Sequence, residues 1–168
     1  MDLHELELEV MLKNIIENGE FDFVILDTGN NTRDSSILAL EYSDYVLMVL
    51  TQDVTTVDSN ISFISASEIM ELDLSKVRLV INNLMPTSAT GISISHIEEA
   101  FPFECIARIK RDEAVVKANN WATPLVYKPA RPFTRQISSI VNYLAAGNEY
   151  KPVLAKQDNG FFSKLFKG

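Results

Sequence analysis

Residues 45–60, YVLMVLTQDVTTVDSN, carry an unbroken apolar run, Tyr45–Leu50, straight into a polar turn and a helix-compatible stretch. Continuous apolar runs of this length, rich in β-forming residues and without alternation, are the pattern of strands buried on both faces. Phe21–Leu26 (FDFVIL) and Val77–Ile81 (VRLVI) repeat the pattern, and Phe103–Ile109 is a fourth strand candidate. Helical segments are predicted around them. From Asp2 to Asn18, Leu8, Met11, Leu12, Ile15 and Ile16 recur at helical spacing, and Gly19 ends the run. Further helices are predicted over Asp34–Tyr42, Val57–Leu72 and Ile94–Ala100, with one or two turns over Asp112–Asn119. A last helix carries Ile137, Ile140, Val141 and Leu144 on one stripe and ends near Gly147. Buried strands separated by helices predict an α/β fold, a parallel sheet flanked by helices.

At 168 residues and 46% apolar content the chain has material for one ordinary domain with appendages. We place the domain at residues 1–147, a linker at 148–159 and a separate amphipathic segment at 160–168. The net charge of −8 argues against a general nucleic-acid-binding surface, which needs clustered Lys and Arg. The charge is uneven, because residues 151–168 hold four lysines against Asp158 and so leave the remainder at −11. Cys105 is the single cysteine, which rules out an intramolecular disulfide and a cysteine-based zinc site. The acidic start, MDLHELELEV, does not read as a signal peptide, and no stretch reaches the roughly 18 apolar residues of a transmembrane helix. The expected address is the cytoplasm.

The run FDFVILDTGNN, residues 21–31, ends on Asp27. A carboxylate at the C-terminal end of a parallel strand faces the crevice where such sheets bind ligands, and there it orients Mg²⁺ or a water attacking a phosphate. Capping of the following turn is the competing reading. A phosphate-binding loop requires clustered glycines and a lysine. The six glycines of this chain, Gly19, Gly29, Gly91, Gly147, Gly160 and Gly168, supply no such cluster.

Four segments taken in order, FDFVILDTGNN, LALEYSDYVLMVLTQDVTTVDSN, VRLVINN and IARIKRDEAVVKANNWATPLV, resemble the latter two-thirds of the MinD/ParA family of deviant P-loop ATPases. The resemblance covers roughly residues 8–145 and implies an incomplete three-layer P-loop NTPase fold lacking its P-loop. It implies that Asp27 is the Walker B-type carboxylate, catalytic and a ligand of Mg²⁺ through water. By the same resemblance Asn82, after the third apolar run, recognises adenine, and Asp112 lies beside the base in a segment usually written Ile-Pro-x-Asp. Here that segment reads Ile109, Lys110, Arg111, Asp112, with Lys110 where the family has proline. Asn82 in a polar turn, and Asp112 as a helix cap, are the alternatives. ATP and Mg²⁺ are the cofactors that the complete family fold uses, and an ATP-promoted dimer is its implied assembly.

The C-terminal GFFSKLFKG gathers Phe161, Phe162, Leu165 and Phe166 on one face of a helix, with Lys164 and Lys167 toward the other. Such a segment buries its aromatic face at a lipid boundary while its lysines meet anionic head groups. It resembles the membrane-targeting tail of the same family, which implies a protein peripheral to the inner face of the cell membrane. A tail folded back on its own domain or on a neighbour is the alternative. The expected function is spatial positioning at the membrane, as in division-site, pilus or conjugation machinery, without competence for ATP hydrolysis by this chain alone. A non-catalytic scaffold that keeps the fold and the tail, and binds a partner protein or a second copy, is the competing expectation.

Overall fold

The computed structural model describes residues 3–29, 34–121 and 131–146. Its elements run α1 (Leu3–Asn18), α2 (Asp34–Tyr42), β1 (Val46–Leu50), α3 (Val54–Ile69), β2 (Val77–Leu84), α4 (Thr87–Thr90), α5 (Ile94–Ala100), β3 (Cys105–Lys110), α6 (Glu113–Asn120) and α7 (Pro132–Ala145). The strands form one sheet in the order β1-β2-β3, parallel throughout. Val46 pairs with Val77 and Leu50 with Ile81, so β1 and β2 run in uninterrupted register. The β2–β3 pairing slips twice, once between Leu79 and Val80 and again between Ile81 and Leu84.

Burial follows from the alternation of side chains across the strands. On one face Met48, Leu50, Leu79 and Ile81 meet Val57, Ile61 and Ile64 of α3 and Ile97 and Ala100 of α5. On the other, Val80, Ala107 and Ile109 pack against Phe133, Ile137, Ile140 and Leu144 of α7. Helices thus cover β2 and β3 on both sides, giving the α/β layering that the apolar runs predict. α3 begins at Val54, ahead of its predicted start, because the Asp53 carboxylate accepts the Thr56 amide at 2.7 Å and caps the helix.

Two expectations about strands fail. Phe21–Leu26 forms no strand and bends at Asp22, and Phe21, Phe23 and Ile25 stand 64%, 62% and 90% exposed. β1 is covered on one face only, with Val49 53% exposed on the other. Both failures share a cause. An apolar run specifies that a strand wants neighbours but cannot supply them, and here the hydrogen-bonding partner is not among the described residues. The linker and the segment 160–168, with Phe161, Phe162, Lys164, Leu165, Phe166 and Lys167, lie outside the described residues.

Candidate functional site at the carboxyl ends of the strands

Ligands of open parallel sheets sit outside the carboxyl ends of the strands. In this chain those ends are Thr51–Asp53 after β1, Asn82–Leu84 closing β2, and Lys110–Asp112 after β3. Two contacts lock them into one rim. The Arg111 amide donates to the Leu84 carbonyl at 3.0 Å, tying the end of β3 to that of β2. Buried Gln52 donates through Nε2 to the Ile92 carbonyl at 3.0 Å and accepts the Met85 amide on Oε1 at 2.8 Å. One side chain thereby fixes both ends of the α4 loop against β1.

Asn82 stands half-buried where β2 becomes irregular. Its Oδ1 accepts the Asn83 amide at 2.8 Å, and Asn83 takes a left-handed φ of 57°, a conformation that asparagine tolerates better than most residues. The polar-turn reading therefore describes half of the side chain. The Nδ2 donors of Asn82 have no partner among the described residues.

Asp112 is committed on both oxygens. It caps α6, accepting the Ala114 amide at 2.9 Å, and it receives Arg131, with Nη2 at 2.8 Å and Nε at 3.3 Å. The Arg131 guanidinium, and then the Ala114 amide, hold its carboxyl below the usual carboxylate range. Across the rim, Asp53 is held low by the Thr51 hydroxyl and the Thr56 amide. Lys110 has a further role. Its backbone N–H donates to Gln136 Oε1 at 3.2 Å, a bond that proline could not make. The departure from the family's proline is thus built into the packing of α7.

Asp27 stands exposed after this run, and among the described residues no hydrogen bond or ion pair joins it to Asn82 or Asp112. The segment is tethered nearby, where the Ser36 hydroxyl donates to the Thr28 carbonyl at 3.5 Å. No cluster of three or more His, Cys, Asp or Glu side chains with metal-binding geometry exists among the described residues. Asp27 by itself does not make a Mg²⁺ site. Asn82 lies near the end of β2 and Asp112 just past the end of the adjacent β3.

Sequence reasoning missed Gln52, Arg131 and Gln136. Gln52 had a readable signal, as a polar residue in the turn that follows the unbroken apolar strand. Arg131 and Gln136 had none, because their partners lie 19 and 26 residues away.

No protein-family model matches the chain. Among curated proteins it is 23% identical over 159 residues to the septum site-determining protein MinD of Bacillus subtilis, a match spanning 92% of this chain and 59% of that protein. Among solved structures it resembles the MinD cell division protein of Aquifex aeolicus at a TM-score of 0.74 and 18% identity, over 86% of this chain and 62% of the other. A chain of the Aquifex aeolicus MinC:MinD cell division protein complex gives a TM-score of 0.75 at 17% identity, over 86% and 60%. The chain therefore spans about three-fifths of the length of the relatives it matches. The parallel sheet, its flanking helices and this likeness together show that the chain has the fold of the MinD structures and is similar in sequence to MinD.

Proposed function

We propose that this chain carries the base-facing side of a MinD/ParA-like ATPase module that acts in membrane-associated spatial positioning, such as division-site, pilus or conjugation machinery. The observation that supports this most is the rim itself, where Asn82 near the end of β2 keeps amide donors without a partner among the described residues and Asp112 follows the adjacent β3. An exocyclic amine and ring nitrogens of adenine are complementary to one amide side chain, as in any bidentate amide contact. ATP supplies the phosphates to which Mg²⁺ would bind, and Asp27 contributes one carboxylate near that end. The glycine loop that supplies the phosphate contacts is not in this sequence, so hydrolysis is not an activity of this chain alone. The tail residues Phe161, Phe162, Leu165 and Phe166, with Lys164 and Lys167, attach the module to anionic lipids at the inner face of the membrane. One short tail binds weakly, and a homodimer strengthens attachment through avidity.

Joining the chain to the P-loop portion of a MinD protein should create Mg·ATP binding that calorimetry detects and that Asn82→Ala weakens. A joined protein with no heat of binding would sink the nucleotide reading.

A second reading, a scaffold that binds partner proteins and no nucleotide, is favoured by the saturated Asp112 and by the Lys110 amide bound to Gln136. It predicts membrane attachment with no response to ATP.

A further inference from the structure

We propose that the basic outer face of β3, α6 and α7, with the exposed Trp121 on it, is a second contact with an anionic lipid surface, made by the folded domain once the C-terminal segment has brought it there. The choice of a lipid surface rests on the proposed attachment of that segment. The basic face itself follows from charge, packing and exposure.

Charge divides sharply along the chain. Residues 1–104 hold four Lys and Arg against 19 Asp and Glu, whereas residues 105–146 hold seven against Asp112 and Glu113 alone. The first stretch therefore carries −15 and the second +5. The fold gathers the second stretch instead of dispersing it. Arg131 at the start of α7 holds Asp112 at the start of α6 at 2.8 Å, and Gln136 of α7 bonds both the Lys110 amide and the Arg108 carbonyl of β3. Two of the cations are neutralised inside the domain, Arg108 by Glu98 and Arg131 by Asp112. Lys110, Arg111, Lys117 and Arg135 stand exposed and form no ion pair among the described residues.

Apolar surface lies within this charge. At about 100° per residue, Val116, Lys117, Asn120 and Trp121 share one arc of α6 with Glu113, and all five are exposed, Val116 by 56% and Trp121 by 81%. Tryptophan beside lysine on an exposed helix face suits the boundary of a bilayer, where the indole sits among the head groups and the ammonium meets their phosphates. A nucleic-acid backbone offers the cations a partner but gives Val116 nothing to be buried against, which favours lipid. A second contact also meets a shortage, because one short amphipathic segment binds weakly and stable attachment takes two signals. The linker at 148–159 spans at most about 40 Å, so a domain tethered by its tail stays within reach of the same surface.

Trp121 is the single tryptophan of the chain, so its fluorescence reports this face alone. With the full chain, phosphatidylglycerol vesicles should move the emission to shorter wavelength, and phosphatidylcholine vesicles should leave it unchanged. Trp121→Ser and Lys117→Glu should each weaken partition onto phosphatidylglycerol about tenfold in co-sedimentation. Both side chains are exposed, so circular dichroism should show the variants folded. Ile69→Ser, on the exposed end of α3 outside the basic face, should bind as the parent does. Sedimentation with the vesicles at unchanged emission would overturn this proposal and leave the tail reading standing, whereas no sedimentation at all would remove both. The proposal also falls if a single-stranded oligonucleotide, which stacks on exposed aromatic rings, shifts the emission as the vesicles do. Salt-sensitive self-association that shifts the emission without vesicles would likewise overturn it, by assigning the face to the acidic part of a second copy.

Discussion

Asp53 and Asp112 each sit at a helix start with both a hydroxyl or guanidinium and a backbone amide on the carboxylate. These partners lower both pKa values in the folded protein. The stability they contribute is therefore fully present above the unfolded value of about 4 and is lost as pH falls through the lower folded values. Asp53→Ala should cost about 1 kcal/mol in urea unfolding at neutral pH, and the difference from the parent should shrink as pH falls below the unfolded value and through the lowered folded one. An unchanged difference at low pH would place the effect in packing. Asp112 as a cap was legible in the sequence; its pairing with Arg131 was not, because it spans two elements. Cys105 is half-buried at the start of β3. Burial, and then the Glu98 hydrogen bond, push its thiol up to about 11. It should react with iodoacetamide far more slowly at pH 7.5 than a cysteine in an unfolded peptide, and equal rates would contradict that environment.

At the scale of elements, three of the four apolar runs became strands within a few residues of their predicted bounds. Asp34–Tyr42 and Ile94–Ala100 fall where helical spacing puts them. The exception, FDFVIL, has the right composition and lacks a neighbour. Local pattern reports what a segment can bury, and a strand forms only where another backbone accepts its amides. The slip in register at the end of β2 was equally invisible, since it depends on Asn83 adopting a left-handed conformation. α7 gains from a contact of this long-range kind, in which Gln136 substitutes for a missing strand along β3. Gln136→Ala leaves one amide and one carbonyl without that partner and should cost about 1 kcal/mol, with faster hydrogen exchange at Lys110. Exchange at Lys110 that did not change would show that the bond is not made in solution.

For the whole molecule, the sequence reading and the comparisons agree on a MinD/ParA-like α/β fold that spans about three-fifths of its relatives. The rim was half legible. Asp112 follows β3 as the periodicity expects, whereas Asn82, expected just past its strand, lies inside β2, which runs on to Leu84. Gln52, which holds the loop between them, acts through carbonyls and amides whose positions no local pattern records. No helix among the described residues is long and apolar enough to cross a membrane; the proposed attachment is assigned to the amphipathic tail. Co-sedimentation with anionic liposomes, for the full chain and for the chain lacking residues 160–168, tests the proposed membrane-associated role most directly. The full chain should sediment with the vesicles in a salt-sensitive manner and the shortened chain should stay in the supernatant; equal sedimentation of the two would contradict it.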